Sequence, residues 1–427
     1  MKIVIWHGYL LGGTGSNVYT RALARTWSRL GHEVVVLCQE PHPERYDLGG
    51  ARVVRPPIPG RLPVFVLDRY EDAEPCRLPD MPVQEREAFV EANAAAVRAE
   101  LPADLLLTNH VLLGAPVGEA AGMPYLVKAH GSELEFSMRS DPGLRAWAAA
   151  SLAGCRAVVA GSDHIARVLD ELVGPAADPV VVVPPGVDVE ELVPQDRAQA
   201  LADLVREAGQ DTPNPGGADE RRPDEGNAQR LGDFLAGDRP TALYVGKLSD
   251  EKGVSLFVEA VSRLDAVRAV VVGFGPQRAE LEARAGAAAP GRVLFTGALE
   301  HRHLRHLWPL GDVSVTPSVF PEAFGMVAAE AAACGSPPLV ARHSGLAEVA
   351  AAVERQYPAD LRHLASFERG DVDGLTARMA ELLALPRDRW AQVAEGARRA
   401  VVEHWSWESV AARLVSLGGA AASRPSP

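Results

Sequence analysis

Two glutamates eight positions apart, Glu322 and Glu330, frame the stretch of this chain best equipped for chemistry. Pro321 and Gly325 make the approach irregular, and the alanine-rich run up to Cys334-Gly335 reads as a helix with a glycine stop. The helix is predicted to begin near Phe324 or Gly325. On one continuous helix a spacing of eight turns two side chains apart by roughly 80°. The carboxylates therefore read as separate devices, Glu322 on the approach loop and Glu330 inside the helix. Between them the backbone amides of Ala323, Phe324, Gly325 and Met326 gather at a helix N-terminus, where anions and hydroxyl oxygens are attracted. A ligand carrying both hydroxyls and phosphates would suit this arrangement, although an ordinary helix with two surface glutamates has the same pattern.

Other residues add to it. Lys247 leaves one apolar run, Thr241 to Gly246, and Lys252 enters the next helix, so the two ammonium groups can converge on phosphate oxygens. Fixed cations there would lower the barrier to departure of a diphosphate. His110 and His130 each follow a buried strand directly, Asp104 to Asn109 and Tyr125 to Ala129, which puts both at carboxyl ends where open α/β sheets bind ligands. His130 sits in a His-Gly-Ser-acid context. His110 reads as a histidine satisfied by backbone.

The elements that must position these residues alternate. Lys2 to Trp6 is a strand, Gly12-Gly13-Thr14-Gly15 a loop, Asn17 to Gly31 a helix and Glu33 to Cys38 a second strand, the opening of a doubly wound domain. The loop lacks the Gly-x-Gly-x-x-Gly spacing, and no acidic residue ends the second strand, so a nicotinamide cofactor is disfavoured. Residues 41–82 are proline-rich and irregular, with a strand over Arg52 to Arg55. A helix is predicted over Glu85 to Glu100 and another over Ser162 to Leu172. Residues 207–240, rich in Gly, Pro and charge, read as a mobile, solvated insertion.

At 427 residues, with 47% hydrophobic and 23% charged residues, the chain should hold two soluble globular domains. A net charge of −13 argues against general nucleic-acid binding. Four scattered cysteines without a Cys-x-x-Cys pair read as reduced packing residues. No apolar run approaches the ~20 residues of a membrane span, and the N-terminus enters a strand without a signal-peptide pattern. A cytoplasmic enzyme is expected, with peripheral membrane contact left open.

Taken in order, these motifs resemble the retaining glycosyltransferases of family 4 (glycosyl transferases group 1), from Lys2 to about Leu414. Glu322 to Glu330 resembles the family's Glu-seven-Glu signature. Lys247 to Gly253 resembles its Gly-Arg, four residues, Lys-Gly motif, with Lys247 where arginine is usual, so the charge stays but the bidentate fork is lost. Val272-Gly273-Phe274-Gly275-Pro276 resembles Val-Gly-x-Gly-Pro. Ser344-Gly345-Leu346-Ala347-Glu348 resembles a Gly-Gly-x-x-Glu turn, with Leu346 standing for the second glycine. Val180 to Asp188 resembles the interdomain linker, and His404-Trp405-Ser406-Trp407-Glu408 the start of the C-terminal helix.

The resemblance implies an α/β architecture of the GT-B type: two Rossmann-like, doubly wound parallel-sheet domains facing across a cleft. Residues 1–186 would form the acceptor-side domain, joined by a returning helix at about 405–427, and residues 187–404 the nucleotide-sugar domain. It implies a nucleotide-diphosphate sugar donor, UDP-linked by default, and a hydroxyl acceptor. Transfer would retain the anomeric configuration and use neither cofactor nor metal. His130, Glu322 and Lys252 would be catalytic. Gly13, Gly15, Lys247 and Lys252 would hold the diphosphate, while His130, Glu322, Ala323, Phe324 and Gly325 would hold the sugar. Gly273, Arg292, Val293 and Glu330 would hold the nucleoside, with Asn17 and Glu133 left as acceptor contacts. A nucleotide-sugar 2-epimerase, another GT-B enzyme such as a phosphorylase, or a non-catalytic nucleotide-sugar-binding protein are the alternatives on the same fold.

Overall fold

The structure is a computed structural model and describes residues 1–12, 14–67, 70, 72–174, 180–212 and 222–419. The chain divides into two compact units, Met1–Gly186 with Trp407–Pro427, and Val187–Ser406.

In the first unit seven strands form a wholly parallel sheet in the order β3-β2-β1-β6-β7-β8-β9. These are β1 (Lys2–Trp6), β2 (Glu33–Leu37), β3 (Arg52–Val54), β6 (Leu105–Asn109), β7 (Tyr125–Lys128), β8 (Ala157–Ala160) and β9 (Val180–Val182); β4 (Leu62–Val64) and β5 (Pro75–Arg77) pair separately inside the proline-rich stretch. β6 is buried along its whole length and β1 from Ile3 onward. Covering on both faces is why these strands read as continuous apolar runs and not as alternation. The strand order reverses between β1 and β6, so His7, Asn109 and His110 mark the switch point. The helix Gly15–Arg29 starts two residues before the predicted position. The helix Asp163–Val173 is capped by Ser162, whose Oγ accepts the amide of Ile165 at 3.2 Å. The returning helix Trp407–Gly419 belongs to this unit, where the indole of Trp27 donates to the carbonyl of Ala411.

In the second unit six parallel strands run β12-β11-β10-β13-β14-β15: β10 (Thr241–Val245), β11 (Arg268–Val272), β12 (Val293–Phe295), β13 (Val313–Thr316), β14 (Pro338–Ala341) and β15 (Ser366–Phe367). The order reverses between β10 and β13. Lys247 and Ser318 follow those two strands, so the switch point falls between the lysine loop and the Glu322 loop.

The mobile insertion expected over 207–240 is not borne out where it is described. Residues Asn227–Leu235 form a helix with Leu231 and Leu235 buried, and the turn before it docks on the outer edge of β12. There Pro223 bridges Gly297, Ala298 N–H donates to Arg222 O at 3.1 Å, and the Arg278 guanidinium grips both oxygens of Asp224. Residues 213–221 lie outside the described residues. The i, i+4 leucines are a helical signal that the surrounding polar composition hid.

Candidate active site

In the second unit the predicted donor residues converge on the carboxyl edge of the sheet. The lysine loop is laced to its neighbours by backbone bonds: Leu248 N–H to Phe274 O at 2.8 Å, and the amides of Val319 and Phe320 to Glu251 O at 2.9 and 3.0 Å. Lys252 Nζ and Glu322 Oε1 form an ion pair at 2.5 Å, and the same oxygen accepts Ser318 Oγ at 2.5 Å. Lys247 is exposed, and its ammonium group makes no hydrogen bond or ion pair among the described residues, while its carbonyl accepts the Tyr244 hydroxyl at 2.8 Å. Its charge and that of Lys252 help hold the Glu251 carboxyl below its ordinary value, behind the larger effect of a hydrogen bond from Ser249.

The helix after Glu322 spans Met326–Ala333, beginning one or two residues later than its predicted start near Phe324 or Gly325. Gly325, at φ +127°, precedes it and no side chain caps it, so its first amides remain open to a ligand. Phe324 is buried and packs edge-on against Trp405 at 5.1 Å, which anchors this loop from below. Glu330 is buried within the helix, and its Oε1 lies 3.2 Å from His301 Nε2.

Gly273 stands at φ +141°, and a Cβ there would lie 1.8 Å from Gly246 O. Only glycine lets β11 end against the lysine loop. At Gly345 a Cβ would meet Phe324 Cα at 2.5 Å. Gly345 is therefore kept as glycine by close packing. The residue that takes a glycine's backbone is Ser344, at φ +47°, so the departure from the Gly-Gly turn falls there and not at Leu346. A left-handed residue carrying a Cβ costs roughly 1–2 kcal/mol.

Two nucleoside expectations fail. Arg292 precedes β12 and Val293 opens it, pairing with Ala269 near the start of β11. At ~3.3 Å per residue that is about 13 Å below Gly273, at the wrong end of the sheet. The Arg292 guanidinium is spent on the carbonyls of Val261, Leu264 and Ser262, at 2.9, 2.8 and 3.2 Å, where it caps the helix Val254–Ser262. Arg268 does the same for the helix Asn227–Leu235, donating to the carbonyl of Leu235 at 3.0 Å. At the carboxyl end of β12 stand Thr296 and Gly297 instead, and Gly297 O accepts the Gly273 amide at 2.9 Å.

In the first unit the predicted residues also gather at the carboxyl edge, but two are already committed. Glu133 is fully buried. Its Oε1 accepts the amide of His130 at 2.6 Å and its Oε2 faces His110 Nδ1 at 3.2 Å. It is a structural carboxylate and not an acceptor contact. Asn17 is buried too, with Nδ2 donating to Gly12 O at 2.5 Å and Oδ1 facing His7 Nε2 at 2.8 Å. Its work is to hold the glycine loop. Gly15 opens the helix Gly15–Arg29, whereas Gly13 lies outside the described residues. His110 is not simply satisfied by backbone: it stands at φ +68°, and its Nε2 is buried without a partner among the described residues.

His130 retains part of its exposure. Its Nε2 lies 2.9 Å from Asn109 Oδ1, an orientation set by Asn109 Nδ2 donating to Trp6 O at 3.4 Å. An amide oxygen only accepts, so Nε2 carries the proton and the Nδ1 lone pair faces the Glu133 amide in the turn that His130 caps. Tyr19 packs edge-on against both His130 and Trp407, at 5.8 and 5.5 Å, linking the ring to the returning helix. Burial, reinforced by the neighbouring His110, Lys128 and His7, holds His130 well below the ordinary imidazole range. Burial likewise lowers His7 to about 3 and Lys128 to about 7.

These depressed histidines make the first unit acid-sensitive. Between about 3 and 6.5 the unfolded chain binds a proton at His7 that the folded chain refuses, so the stability His7 contributes is lost as pH falls through that window and is constant above it. The urea midpoint of this unit is expected to drop between about pH 7 and pH 5, and His7→Gln to flatten that slope. An unchanged slope in the variant would show that His7 is protonated in the folded state.

The chain matches the family described as Glycosyl transferases group 1 over residues 229–399, and Glycosyltransferase Family 4 over residues 13–191. It is 29% identical to a D-inositol 3-phosphate glycosyltransferase of Xylanimonas cellulosilytica over 96% of this chain and 92% of that one. It is 26% identical to an MMP alpha-(1->4)-mannosyltransferase of Mycolicibacterium hassiacum, over 94% of both. The crystal structure of Anabaena Alr3699/HepE in complex with UDP and glucose superposes with a TM-score of 0.69 at 16% identity, covering 97% of this chain and 98% of that one. The fold is GT-B, and the chain belongs to glycosyltransferase family 4: it is a glycosyltransferase.

No helix among the described residues is long and apolar enough to cross a membrane.

Proposed function

We propose that this glycosyltransferase moves a sugar from a nucleotide-diphosphate sugar, UDP-linked, to a hydroxyl acceptor with retention at the anomeric carbon. The observation that carries the reading is the Lys252–Glu322 pair at the β10/β13 switch point, beside the uncapped N-terminus of the Met326–Ala333 helix. One cation, one carboxylate and open amides on a single edge fit a ligand whose phosphate adjoins a hydroxylated ring. The inositol-phosphate glycosyltransferase, the mannosyltransferase and the UDP- and glucose-bound neighbour support it by what their names state.

In this reading Glu330 takes the ribose hydroxyls, exchanging its His301 contact for them. Glu322 and the 323–325 amides take the sugar hydroxyls, and Lys247 and Lys252 take the diphosphate. The bond from the anomeric carbon to the diphosphate oxygen breaks, and the electron pair leaves with the diphosphate. The acceptor oxygen then bonds to the same face of the carbon, and its proton passes to the departing diphosphate. The lysines and helix amides stabilise the charge that grows on the leaving oxygens. They supply electrostatically what a divalent ion would, so no metal is required. His130, neutral at physiological pH, lies beside the substrate without adding a charge of its own.

The test is a thermal-shift panel of UDP-, GDP- and ADP-sugars, followed by turnover with excess EDTA. A UDP-sugar is expected to raise Tm most, by about 2.7 kcal/mol of added stability at 100 times Kd, with turnover unaffected by chelation. If no nucleotide sugar shifts Tm, the donor assignment is wrong; loss of turnover in EDTA would overturn the metal-free mechanism.

A further inference from the structure

We propose that Ser344 and His343 are positioning residues that hold Glu322 in place for the donor sugar. The inference rests on the reading that Glu322 contacts that sugar. Ser344 is one of two residues other than glycine at positive φ among the described residues, at +47°. Strain of this kind persists where the surroundings require it and collects at functional sites.

The surroundings are specific. Ser344 Oγ accepts the backbone amide of Glu322 at 2.9 Å and lies 3.1 Å from His343 Nδ1. His343 Nε2 lies 2.6 Å from Ser318 O. A carbonyl oxygen only accepts, so in the neutral ring Nε2 bears the proton and Nδ1 is bare. The Ser344 hydroxyl proton therefore points to Nδ1, which leaves an oxygen lone pair for the Glu322 amide. The next residue completes the grip: Gly345 N–H donates to Glu322 O at 3.0 Å. Glu322 is thus held by both its amide and its carbonyl. Its carboxylate is set by Ser318 Oγ, and the backbone of Ser318 is in turn held by His343.

The left-handed turn at Ser344 presents the hydroxyl and the Gly345 amide to the same residue. A glycine at 344 would relax the backbone but could not receive the Glu322 amide. The relay thus fixes the position of a carboxylate that the Lys252 contact alone would leave free to follow the lysine.

Two variants separate this role from simple turn chemistry. Ser344→Gly removes strain and hydroxyl together; Ser344→Ala removes the hydroxyl and keeps the Cβ. In the ligand-free protein both are expected to speed hydrogen exchange across residues 318–325 by about tenfold or more. With the best donor of the nucleotide-sugar panel, kcat should fall about 30- to 100-fold in both. Affinity for the bare nucleoside diphosphate (UDP, GDP or ADP, whichever the wild type binds) should stay within about twofold, because it does not touch Glu322. Ser344→Gly should melt at or above the wild-type temperature. Wild-type exchange and kcat in Ser344→Gly would overturn the proposal, as would a parallel loss of diphosphate affinity, which marks a damaged fold. If the wild type binds no nucleotide sugar, the donor reading fails on its own, and the exchange comparison still decides whether Ser344 holds Glu322.

Discussion

Replacing Lys252 by alanine is expected to lower kcat/KM for sugar transfer by about 10²–10³, some 3–4 kcal/mol of transition-state stabilisation. Two effects combine. The variant removes a cation aimed at the leaving diphosphate, and it strips Glu322 of its ion pair. Lys252→Arg should recover part of the loss, since the charge returns but the longer planar head cannot repeat the Glu322 contact unchanged. Lys247→Ala should cost less, because Lys247 is exposed and its ammonium supports no second residue by hydrogen bond or ion pair among the described residues. Steady-state kinetics with the preferred donor measure this. A Lys252→Ala enzyme within about threefold of wild type would remove Lys252 from the mechanism.

Gly273→Ala is expected to be the most damaging single methyl in the second unit, at roughly 3 kcal/mol or more of unfolding free energy. Alanine at φ +141° is strained in itself, and its Cβ would lie 1.8 Å from Gly246 O, a backbone atom that cannot swing aside. Relief requires β11 and the lysine loop to part, so nucleotide affinity should fall with stability. Gly15→Ala is the contrast. A Cβ there meets nothing within 4 Å, and alanine favours the helix that Gly15 opens. Chemical denaturation followed by tryptophan fluorescence compares the two. If Gly273→Ala matched Gly15→Ala in stability, the close approach of the two loops would be wrong.

What the sequence made legible is what is local. The Glu322 loop, the lysine loop and the Gly273 turn are each set within a dozen residues by a strand, a turn and a helix start, and the structure brings all three to one sheet edge. Residues whose role depends on distant partners were misread. Glu133 is an ordinary acidic residue on a helical turn until the amide of His130 and the ring of His110, itself forced to positive φ, close over it. Arg292 sits beside a motif, yet the helix end it caps lies some thirty residues earlier. A cation following a glycine at the foot of a strand was the available hint that it faces the opposite edge from the ligand. The helix Asn227–Leu235 hid behind its polar neighbours. The departure from the glycine motif was read at Leu346, and only the dihedral angle of Ser344 and its bond to the Glu322 amide move it to Ser344.

The central claim is that the second unit receives a diphosphate through Lys247, Lys252 and the amides that open the Met326–Ala333 helix. Calorimetric titration of UDP, in EDTA, into the wild type and into Lys247→Ala/Lys252→Ala tests it most directly. The account predicts saturable one-to-one binding by the wild type and affinity weaker by at least about 100-fold, some 2.7 kcal/mol, in the double variant. Equal affinity in the two proteins would contradict it.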